Sequence, residues 1–216
     1  MSRLRYVYLH GFASGPQSSK GRFFHERFHE LGLELELPDL TEGDFEHSTL
    51  GRQLGVVDRL LAGDRAVLLG SSMGGYLAAL HAARRPQQVE RIVLLAPAFG
   101  LARRWGEQLG EATMRDWRER GWRNVLHYGF GEERRISYDL ISDGLEYEDF
   151  PDVRQPALVI HGRRDDTVDY RLSERFAAGR ENVRLALYDS DHQLLDVLEQ
   201  MGREVLSFLR VLSPLE

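Results

Sequence analysis

Val67-Leu68-Leu69-Gly70-Ser71-Ser72-Met73-Gly74-Gly75-Tyr76-Leu77-Ala78-Ala79-Leu80 joins an apolar run of strand length to a small-residue, Ala-rich stretch with a helical pattern. Between the halves stands Gly70-x-Ser72-x-Gly74, the G-x-S-x-G spacing of a sharp strand-to-helix turn that presents a serine. The spacing has a steric reason. Neighbouring backbone crowds such a turn two residues before and two residues after the serine, so both places need little bulk. The helix that follows aims its first N–H groups and its positive dipole end back at the hydroxyl. Ser71 is the competing hydroxyl, but Leu69 stands two residues before it, so the spacing selects Ser72. Alone, three fixed positions also describe an ordinary glycine-rich turn. The rest of the chain has to separate the two.

A length of 216 residues points to one domain, 1–216, with room for a substantial core. With 42% hydrophobic and 29% charged residues the composition is that of a soluble globular protein rather than a disordered one. The net charge of -6 argues against a nucleic-acid surface. Of the 28 basic residues only Lys20 is a lysine, which reads as compositional bias. The absence of cysteine excludes disulfides, a thiol nucleophile and a cysteine-ligated metal. Arg3 and Arg5 lead straight into a strand, unlike a signal peptide. No apolar run approaches the roughly 18 residues of a membrane helix. These features predict a cytoplasmic protein, and they leave the oligomeric state open: a monomer and a small homo-oligomer both fit.

In chain order, Tyr6 to Leu9 reads as a buried strand ending in His10-Gly11-Phe12. A helix is expected from Lys20 to about Leu31, with Phe24, Phe28 and Leu31 on one face and Gly32 as its stop. Leu33, Leu35 and Leu37 alternate with glutamates as an edge-like strand does, and Pro38 closes it. A helix near Thr49 to Leu61 precedes the strand 66–70, and another runs from Met73 to about Arg84. Further buried strands are expected at 92–96, 157–161 and 184–188, followed by a helix carrying Leu194, Leu198, Met201, Val205 and Phe208. Strands alternating with helices imply a doubly wound, mostly parallel six-stranded α/β sheet, with ligands beyond the carboxyl ends of the strands. Residues 99–150 interrupt that rhythm. They hold Trp105, Trp117 and Trp122 and many arginines on what read as short helices, an insertion of the length of a helical cap or lid. The three tryptophans are candidate pocket residues; simple packing onto the body is the alternative.

A nucleophilic Ser72 needs a base, a group to orient it and donors for the oxyanion. Of eight histidines, His25, His29 and His81 fall inside predicted helices. His161 ends a strand and reads as structural, while His192 follows the last strand and can project over the sheet. The acid is expected in the preceding loop, where Asp165 and Asp166 compete, each with a turn or cap role as its alternative. Either gives the order Ser…Asp…His that belongs with this turn. The Met73 N–H comes free with the turn, and the loop after the first strand supplies a second donor. Gly11 lets that chain approach, so the Phe12 N–H is assigned.

His10-Gly11-Phe12, Gly70-Ser71-Ser72-Met73-Gly74-Gly75, His161-Gly162-Arg163-Arg164-Asp165-Asp166-Thr167-Val168 and Ser190-Asp191-His192 together resemble the α/β-hydrolase superfamily. The likeness is to its small-esterase branch, similar to YqiA-like esterases and mitochondrial acyl-protein thioesterases. In the family's H-G-x-x-D-x-x-V pattern the acid is the first aspartate, here Asp165. The resemblance implies a sheet of order 2-1-3-4-5-6, trimmed of two N-terminal strands. It also implies hydrolysis of a small-molecule carboxylic ester or thioester through an acyl-enzyme, with Ser72 as nucleophile, His192 as base, Asp165 as orienting acid and no cofactor or metal.

The same three residues would also serve amide or carbon–carbon hydrolysis, and cap arginines such as Arg103, Arg118 and Arg123 would suit an anionic substrate. A non-catalytic binding protein of this fold is the reading from another class. Gly11 to Gly21 lacks the spacing of a phosphate-binding loop.

Overall fold

The computed structural model describes residues 4–210, so Arg3 lies outside the described residues. In chain order the elements are β1 (Leu4–Leu9), α1 (Ser19–Glu30), β2 (Leu35–Glu36), α2 (Leu50–Leu61), β3 (Arg65–Ser71), α3 (Met73–Arg84) and β4 (Val89–Leu95). Then come α4 (Leu101–Arg120), β5 (Trp122–His127), β6 (Glu132–Ser137), α5 (Asp139–Gly144), β7 (Ala157–Gly162), α6 (Arg171–Ala177), β8 (Val183–Tyr188) and α7 (Leu198–Leu209). The main sheet has six strands in the order β2-β1-β3-β4-β7-β8, every neighbouring pair parallel. Numbered without the β5–β6 hairpin, that order is 2-1-3-4-5-6, as the resemblance implies.

Alternation along the strands explains why the sheet must be covered twice. Val7, Leu9, Leu68, Ile92, Leu94, Ala157 and Val159 point into one core, which α2, α3 and Phe176 of α6 complete. Tyr8, Val67, Leu69, Val93, Leu95, Leu158 and Ile160 point into the other, closed by Phe24 and Phe28 of α1 and Met201, Val205 and Leu209 of α7. Strands apolar on both faces can only sit between two helical layers, which is why they read as continuous apolar runs. Among the described residues no helix is long and apolar enough to cross a membrane.

Three expectations need correction. The strand expected over 33–37 pairs only at Leu35 and Glu36. Gly32, at φ 70°, ends α1 with its N–H on His29 O and the Leu33 N–H on Phe28 O, which spends Leu33 on the helix cap. The last helix begins at Leu198, because Leu194 turns at φ 55° and buries its side chain while 195–197 form a single tighter turn. The insertion is also not purely helical. After α4, broken at Gly110 (φ 76°), Gly121 in the left-handed region releases the chain into the antiparallel β5–β6 hairpin, whose turn closes at Gly131. α5 and the return to β7 follow.

The β3–α3 turn is packed backbone against backbone. A Cβ at Gly70 would stand 2.2 Å from Gly74 O, and one at Gly74 would stand 2.1 Å from Leu9 O. Gly15 faces open space. Urea unfolding should therefore show Gly74→Ala losing about 2 kcal/mol or more, with Gly15→Ala within about 0.5 kcal/mol of the parent chain. Equal stability of the two variants would contradict the packing described here.

Candidate active site

Ser72 sits between β3 and α3 with φ 54° and ψ -118°, a conformation L-residues avoid. Its backbone is fully engaged: the N–H donates to Leu95 O at 2.8 Å, and its carbonyl accepts from Tyr76 and Ala98. This over-determination holds the strain and leaves the hydroxyl free at the carboxyl ends of the strands. There the His192 Nε2 lies 3.1 Å from Ser72 Oγ, and the His192 Nδ1 lies 2.7 Å from Asp165 Oδ2. Ser72, Asp165 and His192 thus come from three different strand ends into one hydrogen-bonded line.

The Asp165 carboxylate is buried, with its side chain 0% exposed. Oδ1 accepts the N–H groups of Thr167 and Val168 at 2.9 and 2.7 Å, while Oδ2 faces His192 and, at 2.9 Å, the His161 Nε2. Burial pushes its carboxyl up, but the bonds from His161, His192 and Val168 outweigh burial and hold it well below the usual carboxylate range. Asp165 is therefore an acceptor at every oxygen. The Nδ1 that faces it must carry the proton, which leaves Nε2 to accept from Ser72. The competing Asp166 is exposed and, among the described residues, accepts the Thr167 hydroxyl alone, at 3.2 Å.

His161 is fully buried and holds the acid in place. Its Nε2 also faces Val168 O at 3.0 Å, so that nitrogen carries a hydrogen, and its Nδ1 meets the Ser173 hydroxyl at 2.7 Å. Gly162 lets the loop that bears His192 come down onto β7, since a Cβ there would stand 2.3 Å from Ser190 O.

On the other side, a Cβ at Gly11 would touch Ser72 Cβ at 3.4 Å, so the loop after β1 runs directly past the serine. His10 stabilises that loop. Its Nε2 accepts the Leu40 N–H at 3.2 Å and its Nδ1 donates to Gly11 O at 3.0 Å; burial lowers its pKa and keeps it neutral. The N–H groups of Phe12 and Met73 have no acceptor among the described residues, and Met73 opens α3, where first-turn amides lack helical partners.

The insertion meets this loop through aromatic rings. Phe12 lies edge-on to Trp105 at 4.9 Å and beside Phe45 at 5.5 Å, and Tyr128 of the hairpin donates its N–H to Ala13 O at 2.8 Å. The three tryptophans differ. Only Trp105 is found against Phe12. Trp117 is 1% exposed, with Nε1 donating to Ile136 O at 3.2 Å in the insertion's own core, and Trp122 lies under Arg135 on the hairpin. Arg103 binds Asp149 and two carbonyls, Arg118 binds the Tyr138 hydroxyl, and Arg123 lies over Trp117. Arg104, next to Arg103 in the chain, points instead at Phe99 O and at Thr167 O on the Asp165 loop. The sequence groups it with the other arginines of the insertion, because only α4's docking onto the sheet distinguishes it. Lys20, read as bias, is buried beside the His192 loop.

The fold is shared with known proteins. A solved protein of Agrobacterium vitis S4 superposes with a TM-score of 0.81 at 23% identity, covering 95% of this chain and 88% of that one. Mouse α/β hydrolase domain-containing protein 10 gives 0.78 at 21% identity, covering 97% of this chain and 91% of its own. In sequence, bovine (Bos taurus) mitochondrial palmitoyl-protein thioesterase ABHD10 is 28% identical over 186 residues, 79% of this chain. The chain spans only 60% of that protein's length. The sheet and these likenesses make this an α/β-hydrolase fold. Residues 5–210 match the family described as "Uncharacterised protein family (UPF0227)", and the chain belongs to that family.

Proposed function

We propose that the protein is a serine hydrolase that cleaves small-molecule carboxylic esters or thioesters through an acyl-enzyme on Ser72. The observation that carries this reading is the line Ser72 Oγ–His192 Nε2–Asp165, at 3.1 and 2.7 Å, with its nucleophile on a strained turn. The thioesterase name of the bovine relative agrees with it.

In this mechanism Ser72 Oγ attacks the acyl carbon while its proton passes to His192 Nε2. The imidazolium that forms faces an Asp165 that is already ionised, so its charge is met without rearrangement. The oxyanion is received by the N–H groups of Met73 and Phe12, each such donor being worth on the order of 10²–10³ in turnover. His192 then returns the proton to the departing alcohol or thiol. Water, deprotonated by the same nitrogen, attacks the ester formed on Ser72; collapse releases the acid and restores the serine. Residues 99–150 act as a cap over this site, with Trp105 bordering the oxyanion loop and excluding water from the acyl group. No metal or organic cofactor takes part in these steps. We propose a cytoplasmic location; the mitochondrial location in the bovine relative's name belongs to that protein.

Asp165→Asn keeps the size of the side chain but puts an amide where two imidazoles need an acceptor. We expect kcat on p-nitrophenyl butyrate to fall by about 10⁴, as tautomer loss does in related triads, while Asp166→Asn stays within about threefold. The reverse ranking would reassign the acid. Because the Asp165 carboxyl lies below the usual range, its stabilising bonds are fully present above the ordinary carboxylate pKa of about 4 and are lost only as pH falls through its lower folded value. Asp165 should therefore add no step of its own to the acid limb of kcat/KM between about pH 5 and 8. A limb of slope two in that window would mean that Asp165 titrates there.

A further inference from the structure

Lys20 is the only lysine among the 28 basic residues, and it is 7% exposed. Two costs come with its place. It is the second residue of α1, where the positive end of the helix dipole disfavours a cation. Burial pushes its ammonium down to about 8, against the pull of the Asp165 and Asp191 carboxylates. Helix chemistry gives no reason for a cation here. Its partners do. The Nζ donates to Gln193 O at 2.9 Å and to His192 O at 3.4 Å, across 173 and 172 residues of sequence.

Both acceptors belong to the loop between β8 and α7 that presents the His192 imidazole. The N–H side of that loop is already ordered, because Asp191 Oδ1 accepts from Gln193 at 2.8 Å and from Leu194 at 3.2 Å. Lys20 takes the carbonyl side. A compact ammonium with three tetrahedral donors can serve two neighbouring carbonyls at once, which a planar guanidinium fork does less well. We propose that Lys20 is a positioning residue: standing on α1, it clamps the His192 and Gln193 carbonyls and so holds the imidazole within reach of Ser72. This rests on the hydrolase reading above.

The cysteine-free chain allows a direct test, since Lys20→Cys carries a single thiol. Alkylating that thiol with 2-bromoethylamine in denaturant, then refolding, returns an ammonium at nearly the same reach; wild type is refolded in parallel. Lys20→Met should lose about 10- to 100-fold in kcat on p-nitrophenyl butyrate, the scale of a small misplacement of a catalytic group, with KM changed less than about threefold. Its melting temperature should stay within about 4 °C, and amide exchange at Gln193 and Leu194 should quicken. If Lys20→Met does not fold, Lys20→Gln replaces it. Aminoethylated Lys20→Cys should regain most of the lost kcat, and the free thiol should not. A folded variant with wild-type kcat, or a loss that aminoethylation leaves in place, overturns the proposal. Wild type without turnover would sink the hydrolase reading instead. Exchange at 193 and 194 then judges the clamp alone: quickening supports it and no change overturns it.

Discussion

The close backbone packing at Gly70, Gly74 and Leu9 is the constraint on which the site depends. It lets α3 start directly against the end of β1 and forces Ser72 into a conformation that its bonds to Leu95, Tyr76 and Ala98 then hold. Strain of this sort costs on the order of 1–3 kcal/mol and persists only where the surroundings over-determine it. The parallel sheet brings the two other partners to the same edge, because β7 and β8 end on the same carboxyl side as β3, two residues further along the register. Each of the three residues stands in the turn or loop that follows a strand, and the sheet sets their spacing.

Around that edge the buried polar groups form a connected set. Asp165 receives four donors from His161, His192, Thr167 and Val168. His161 is held in turn by Ser173, and His10 ties the Gly11 loop to Leu40. A buried carboxylate is tolerable only when its lone pairs are filled in this way, and the same filling fixes which nitrogen of His192 faces the serine. The insertion touches this set lightly, by Trp105 on Phe12, Tyr128 on Ala13 and Arg104 on Thr167. Its own core is built on Trp117, Ile136, Leu140 and Ile141.

Much of this was legible in the sequence because it lies in local patterns. Apolar runs marked β1, β3, β4, β7 and β8, and Met73 to Arg84 was delimited by a glycine turn and by the proline at 86. Ser72, Asp165 and His192 stood in separate short motifs, and the sheet brings them together; the choice of Asp165 over Asp166 came only from family resemblance. What stayed hidden depends on contacts between distant segments. The hairpin at 122–137 is polar on most of its β6 positions and lacks a clean alternation. The roles of Lys20 and Arg104 exist only once α1 and α4 dock beside the loops that bear His192 and Asp165. Composition alone made Lys20 look like bias, although burial makes it one of the more constrained cations in the chain.

The most direct measurement is to treat the folded protein with a fluorophosphonate and locate the adduct by intact mass and peptide mapping. The mechanism predicts one adduct, on Ser72 and not on Ser71, absent in Ser72→Ala and slowed by loss of His192. A folded wild-type protein that takes no label, or takes it on another residue, would contradict the claim that Ser72 is the activated nucleophile.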